Sequence, residues 1–561
     1  MSTSRGERNS EEILQQKQNS QANKSAKPTW IDVLPQIISS CLAHTLVLQV
    51  GIHMTYSTVQ IPYLNLTIDQ TSWLASFVII TSPVGSTVIG PIMDYIGRKW
   101  SLILVCVPYI ISSLLTILAD PGNIELLYLS KICAGIGGGM STVAMVYVSE
   151  ICHENFRPAI LCLNSVFISC GILLTTILNL YLDWRSLSYC FLALVLISGL
   201  VLICFAPESP HWLINMDRTA NVNKRMAKAE KSLKFLNRNP EIFEKEWRVL
   251  CQVRTRYDET RNKKALWRQI LTTRECYKPL ILLVILFTLQ QFTGVYPVIF
   301  YAMQLFKEVG TEIDESHALV FLGIIRFGMS VVTTVLARGF GRKQLLIVSA
   351  AGLGVSSILL SSNLLMKSTF TNCAIQSNEY LVTPNESMRL DHSTWHNEMQ
   401  VPPSAFNTSY TYQMASNMST HEYNSSEHDA PHRLKRHRQN WNVPRSKSCV
   451  DHSSLSSDWL SLLFILLYVF FSAVGVIVIP WTMISELLPS YARGVCSGLM
   501  ISYGYVCMFF MVKAFPFAIH SSVIGTFNVF GLVSFTLVGF VYFYLPETKG
   551  KTFVEIEKYF S

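Results

Sequence analysis

Twelve stretches of mostly apolar residues run through this chain, at 36–58, 72–93, 100–119, 126–149, 158–181, 186–206, 279–303, 316–337, 344–366, 459–484, 494–512 and 521–545. An α-helix needs about 20 such residues to cross the hydrocarbon core of a bilayer. Inside that core only helices and closed barrels satisfy their own backbone polar groups. The expected fold is therefore an all-α membrane protein with twelve transmembrane helices. Half of the 561 residues are apolar, 15% are charged and the mean hydropathy is +0.32. Soluble domains carry about 25% charged residues. This balance speaks against a large cytosolic enzyme, a nucleic-acid binder or a disordered scaffold. The 14 cysteines fall mostly inside the apolar runs, unlike the framework of a small secreted domain. Residues 1–35, rich in Gln, Asn and Ser, read as a disordered cytosolic tail and not as a cleaved signal.

Lys and Arg in short loops set the orientation. With the N-terminus inside, the inner loops hold Arg98, Lys99, Arg157, Arg338, Arg342, Lys343 and Arg493, and the outer short loops hold Arg185, Lys307 and Lys513. The segment 207–278 also falls inside, with 17 Lys/Arg against 9 Asp/Glu, and accounts for the net charge of +8. The basic balance is thus a topology signal with some attraction to anionic lipid. Both termini are expected in the cytosol of a plasma-membrane protein, and 367–457 outside. Four N-x-S/T sequons, at Asn385, Asn407, Asn417 and Asn424, fall in that outer segment, and Asn65 falls in the first outer loop. The segment is Ser-, Asn- and His-rich, so it is expected to be glycosylated and mostly disordered. Its two cysteines, Cys373 and Cys449, lie near its ends and are expected to pair. Arg433-Leu-Lys-Arg436 has the form of a furin-type cleavage site, with a solvated basic cluster as the plainer reading. His392 and His396 have helical spacing, but solvated side chains are expected there and not a metal site.

The two six-span halves repeat each other. Gly97-Arg98-Lys99 follows span two and Gly341-Arg342-Lys343 follows span eight. Glu150 precedes Arg157 by seven residues, and Glu486 precedes Arg493 by seven. Pro207-Glu208 closes span six and Pro546-Glu547 closes span twelve. The Gly-to-Glu spacing is 53 in the first half and 145 in the second, so the outer segment between spans nine and ten is an insertion. Two such bundles around a midplane cavity form the architecture of a rocking-bundle transporter. The expected organisation is a tail (1–35), a six-helix bundle (36–206), a cytosolic linker with amphipathic helices (207–278), a second bundle with the insertion (279–545) and a short cytosolic tail (546–561).

These motifs resemble the sugar porter family of the major facilitator superfamily. They include Gly90-Pro-Ile-Met-Asp94-Tyr-Ile-Gly97-Arg98-Lys99, Pro207-Glu-Ser-Pro-His-Trp-Leu213, Gln290-Gln-Phe-Thr-Gly294, Pro480-Trp481 with Glu486, and Pro546-Glu-Thr-Lys-Gly550. They occur in order from about residue 36 to the C-terminus, the insertion apart. Asp69-Gln-Thr-Ser-Trp-Leu-Ala-Ser76 is similar to insect facilitated trehalose transporters and their vertebrate glucose-transporter relatives.

The resemblance implies an inner gate of salt bridges. Asp94, Glu150, Arg157 and Glu208 would gather under the first half and Glu486, Arg493 and Glu547 under the second, with Arg98 and Arg342 reaching across. The linker helices would latch the halves together. Where the family usually has an Asp before the second Gly-Arg-Lys, this chain has Arg338. For the solute, the resemblance points to Gln290 and Gln291, whose amides both donate and accept, and to Trp481. Other usual polar contacts are replaced by Ser165 beside Asn164, by Tyr296, by Arg326 and by Tyr503-Gly504-Tyr505. Span one holds His53 but no carboxylate, which favours facilitated diffusion over proton coupling. A mid-span charge such as Arg326 must face the protein interior or a wet cavity. Packing against the glutamine amides, donating to a neutral sugar and holding an anionic solute all fit it.

The reading is a monomeric facilitator of a sugar (hexose or a disaccharide such as trehalose) or similar polyol. It works by alternating access and needs no cofactor, metal or nucleic acid. No nucleophile–base pair suggests an enzyme. The alternatives are a carrier of a non-sugar organic solute, anionic ones included, and a non-transporting sugar sensor.

Overall fold

The computed structural model describes residues 31–561 apart from 65, 121, 154–155, 216–221, 258–272, 311–313, 382–452, 489–492, 550, 552 and 561. The described residues form helices and no strand. Twelve helical segments are long and apolar enough to cross a membrane. They are Leu34–Tyr63, Ile68–Ile96, Arg98–Leu118, Ile124–Ile151, Ala159–Leu178, Trp184–Phe205, Cys276–Phe300, Glu315–Leu336, Arg342–Thr369, Trp459–Ile484, Cys496–Ser521 and Val523–Tyr544, numbered here as spans one to twelve. Each overlaps one expected stretch. Span eleven shows the largest shift: its apolar run stops at Lys513, yet the helix Arg493–Ser521 continues through Pro516. The chain falls into two units, residues 1–368 with 453–561 and residues 369–452. Of the second unit, the start is helical as the end of Arg342–Leu381. Helix therefore covers part of the segment expected to be disordered. No Gly or Pro interrupts the sequence until Pro384, and a proline disfavours helix in the residue before it. The sequons, Cys449 and Arg433–Arg436 lie outside the described residues, as does the side chain of Cys373.

Helix ends follow local chemistry. Thr67 caps span two in a reciprocal capping box with Gln70, and Asp183 caps span six. Spans seven and ten are broken. Span seven runs as Arg274–Phe292 and Val295–Phe300, separated at Gly294, whose φ of 80° suits glycine. A Cβ there would also lie 2.2 Å from the Phe530 ring. Span ten runs as Ser453–Val474 and Ile479–Leu487. A break inside a bilayer is tolerated where protein groups satisfy the freed backbone. Here the Tyr468 hydroxyl donates to the Thr293 carbonyl, and the Val476 N–H donates to Ser349 Oγ at 2.9 Å.

Small residues let the spans approach closely, as in lipid-embedded helix pairs generally. Gly51 on span one and Gly171 on span five face the opposing backbone, as do Gly139 on span four and the Ser82 region of span two. One apolar core lies in the first half, around Leu102, Tyr109, Val143 and Tyr147. A second, around Leu286, Phe287, Phe300 and Tyr468, fills the second half and reaches the outer part of the first. After span six the helices Pro210–Asn215, Val222–Leu236 and Pro240–Tyr257 form a small cluster around Trp212 and Leu213.

Candidate substrate site and gates

The breaks in spans seven and ten meet at the centre of the second half. Gln290 and Gln291, at the end of the first piece of span seven, are fully buried. Gln290 Nε2 donates to the carbonyl of Val476, freed by the break in span ten, at 2.6 Å. Gln290 Oε1 and both polar atoms of Gln291 have no partner. Tyr296, on the second piece of span seven, accepts a hydrogen bond from Trp481 Nε1 at 3.0 Å. Trp481 in turn stands edge-on to Phe287 at 5.0 Å and tilts against Tyr505 at 5.8 Å. Gly504 leaves room for that packing, since a Cβ there would come within 2.9 Å of Phe287. Arg326 on span eight is 2% exposed. Its Nε and Nη1 are buried without an acceptor, and its charge acts on Tyr296. Ser165 is half-buried on span five, one helical turn before Ser169, which bonds to Ser330 of span eight at 2.6 Å. The structure thus gathers Gln290, Tyr296, Arg326 and Trp481 with Gln291 beside them. An amide pair, a phenol, an indole and a guanidinium with unmet capacity suit a polyhydroxylated solute.

Span one carries a polar face that the sequence reading passed over. Gln49, His53, Tyr56 and Gln60 are all buried and follow one another by four, three and four residues. That spacing lines one helix face and was visible in the sequence. Gln49, Gln60 and both His53 nitrogens have no partner. His53 stacks on Tyr109 at 5.3 Å, and Lys131 Nζ lies 4.6 Å from the Tyr56 ring. The Tyr56 hydroxyl joins span six at the Trp184 carbonyl and Ser188.

The charges expected at the inner face form two matching clusters. In the first, Arg98 pairs with Glu150 at 2.7 Å and with Asp94 at 3.1 Å. Ser209 donates to Glu150, and Glu208 accepts from the backbone N–H groups of Arg98, Lys99 and Ser209. In the second, Arg342 pairs with Glu486 at 3.3 Å, Thr548 donates to Glu486, and Glu547 accepts from the N–H groups of Arg342 and Lys343. Arg98 bonds inside its own half, where a reach across was expected, and the Arg342–Glu486 pair likewise joins spans of one half. Each cluster ties together the inner ends of neighbouring spans. Arg157 Nη2 donates to the Cys152 carbonyl at 3.1 Å. The side chains of Arg493 and Arg338 lie outside the described residues. Burial pushes the Glu208 carboxyl up from its ordinary value despite its backbone donors, and lowers the basicity of neighbouring His211. The first helices of the linker reach the first half: Trp212 Nε1 donates to the Asp94 carbonyl at 2.9 Å, and Gln36 Nε2 to Asn237 at 2.7 Å. Lys278, at the other end of the linker, donates to the Phe560 carbonyl of the C-terminal tail at 2.8 Å.

At the ends of the spans opposite those clusters the halves touch directly, which the sequence reading did not foresee. Lys513 of span eleven pairs with Asp69 of span two at 2.9 Å and sits 3.9 Å from the Trp73 ring. Ser72 Oγ donates to the Lys513 carbonyl at 2.8 Å. Thr58 at the end of span one donates to the carbonyls of Ile299 and Phe300 beside the span-seven break. These bonds bolt the two halves together at that end of the spans. Lys513→Ala removes an exposed ion pair and a cation–π contact, together worth about 1 kcal/mol. It is expected to raise labelling of a cysteine placed at Ser76 by an impermeant maleimide about fivefold. Unchanged labelling would show that Lys513 is not part of the outer bolt.

The family described as "Sugar (and other) transporter" matches residues 12–379 and 448–560. The gap falls within the outer insertion. The facilitated trehalose transporter of Bombyx mori is 26% identical over 91% of this chain and 84% of its own length. That of Drosophila willistoni is 25% identical over 90% of this chain. The chain spans about half of that protein (48%) and of several other insect relatives. Among solved structures, the partially occluded inward-open xylose transporter XylE of E. coli superposes with a TM-score of 0.62 at 18% identity, covering 92% of this chain and 99% of XylE. XylE bound to 6-bromo-6-deoxy-D-glucose gives 0.64 at 18% identity, over 94% and 100%. Twelve candidate spans in two matching bundles, with a polar site at broken helices, have the major facilitator fold. Within that class, the chain belongs to the sugar (and other) transporter family.

Proposed function

We propose that this protein is a facilitative carrier of a sugar or similar polyol, acting by alternating access as a monomer in the plasma membrane with both termini in the cytosol. The observation that carries the reading is the buried set of unpartnered amide groups on Gln290 and Gln291 beside Trp481 and Tyr296. Buried polar groups without partners are costly, and a solute with many hydroxyls satisfies them. The facilitated trehalose transporters among its relatives agree with that chemistry.

The two inner clusters hold each half together as a rocking body, and the outer bolt is undone when the outer side opens. The Asp94–Arg98–Glu150–Glu208 set and the Arg342–Glu486–Glu547 set, with Arg157 and Arg493, then bear the strain of each swing. Span one has no carboxylate to carry a proton, so the solute moves down its own electrochemical gradient without a coupled proton. Reconstituted vesicles are expected to show saturable uptake and counterflow of labelled neutral sugars across a hexose and disaccharide panel. Gln291→Ala is expected to lower kcat/KM about tenfold, as for loss of one or two hydrogen bonds to the solute. Binding without counterflow would replace the carrier reading with a sensor. Glycans on Asn385, Asn407, Asn417 and Asn424, and a Cys373–Cys449 bridge, are part of the proposal. Loss of mass on enzymatic deglycosylation and a cross-linked peptide in a non-reducing digest are the expected findings.

A further inference from the structure

The central site carries a positive charge that nothing described in the protein balances. Three charged side chains are buried among the described residues: Arg98, Lys131 and Arg326. Arg98 has its carboxylates, and Lys131, in the first half and apart from the cluster, stands over the Tyr56 ring with its Nζ likewise without a hydrogen-bond acceptor. Arg326 has neither: Nε and Nη1 lack any acceptor, and the group whose interaction with it is resolved is the neutral hydroxyl of Tyr296. No Asp or Glu is buried among the described residues. A charge at mid-membrane depth costs at least about 2.5–3.5 kcal/mol on insertion scales. Serving only as a hydrogen-bond donor does not require that charge, since an amide or hydroxyl would do as well.

We infer that the solute accepted at this site bears one acidic group: a sugar acid or other polyhydroxy carboxylate. The inference rests on the carrier reading above and narrows its substrate class. The guanidinium leaves Nε and Nη1 without an acceptor, and each offers a charge-assisted hydrogen bond to a carboxylate oxygen. Gln290 Oε1 and the Gln291 amide remain for hydroxyls, and the Tyr296 hydroxyl, which accepts from Trp481, keeps its own proton to donate. A single cation among the described residues of the cluster matches a single negative charge better than a phosphate dianion. The incoming carboxylate neutralises Arg326 and is itself desolvated only where that partner waits. A bare hydrophobic anion would leave the amides unsatisfied, and a neutral sugar would leave the guanidinium unbalanced.

The test uses the full-length protein in vesicles, with D-glucuronate as the acidic probe and D-glucose and trehalose as neutral ones. Saturable glucuronate uptake is expected, with an initial rate that rises when a potassium–valinomycin potential makes the interior positive. Over a full cycle the only charge moved is the solute's. Arg326→Asn is expected to raise the KM for glucuronate about tenfold or more relative to any change for neutral sugar, and Arg326→Lys to recover part of that loss. If the parent protein moves neutral sugar but neither moves glucuronate nor is inhibited by it, the acidic-solute inference fails and the carrier reading stands. Transport of neither class rejects both. Glucuronate uptake that is unchanged in an Arg326→Asn protein eluting as a single species also overturns the inference. Where that variant does not assemble, the parent's glucuronate uptake and the Arg326→Lys protein decide.

Discussion

Arg98→Gln is expected to destabilise the protein by about 3 kcal/mol and to abolish transport. The Arg98 side chain is 4% exposed and its Glu150 partner 18%, and Arg98 Nε, Nη1 and Nη2 all donate hydrogen bonds. Removing the guanidinium leaves Glu150 with the Ser209 hydroxyl alone and frees the Met93 carbonyl that Nη1 satisfied. The inner ends of spans two, three and four then lose their shared partner. The matching change Arg342→Gln acts on a wetter site, where the side chain is 19% exposed and its Glu486 partner 24%. Solvent screens that pair, and the expected cost falls to about 1 kcal/mol. Thermal unfolding of the two detergent-solubilised variants measures the difference. Equal losses would show that burial does not distinguish the two clusters.

The second large effect is expected at the contact of spans one and five. A Cβ on Gly51 would lie 1.9 Å from the Ile168 carbonyl oxygen, and one on Gly171 would lie 2.1 Å from that of Leu48. Both obstacles are backbone, so no side chain can swing away. Gly51→Val or Gly171→Val must push the helices apart, strip the packing that holds span one in place and unseat its polar face. The expected cost is about 3 kcal/mol or more, at the upper end of overpacking, with little folded protein at the cell surface. Gly539→Ala is the control. It sits in span twelve with nothing within 4 Å of a Cβ, and it gains helix propensity of up to about 1 kcal/mol. Surface expression and gel-filtration profiles separate the cases. Normal assembly of Gly171→Val would mean that this close approach is dispensable.

How far the sequence could be read is clearest at particular residues. Gln290 was legible as a buried hydrogen-bonding group, but its amide N–H is used by Val476, a carbonyl exposed by a helix break 186 residues away. That break, at 475–478, is marked in the sequence by Gly475 and Pro480, but neither tells which group takes the freed carbonyl. Arg98 was legible as part of a repeated motif, whereas its confinement to the first half depends on how Glu150, Asp94 and Ser209 converge in space. Lys513 looked like the end of a span. Its role in joining the halves appears only with Asp69, 444 residues earlier, and with the Trp73 ring that it covers. The span-one face of Gln49, His53, Tyr56 and Gln60 was readable by period and was missed because hydropathy averages over polar positions.

The number and rough limits of the spans, the twofold repeat with its insertion, and the family were determined by the sequence alone. Each depends on properties local to a segment: a bilayer asks for a length of apolar helix, and a duplicated bundle repeats its residues at set spacings. Only the tertiary structure decided which polar groups meet. A buried hydrogen bond or ion pair is specified by the approach of helices to within a few ångströms, and the glycines and breaks that permit that approach act on partners far away in the chain. The unpaired guanidinium of Arg326 belongs to that second kind: its position in span eight was plain, and its lack of a partner was a fact of packing.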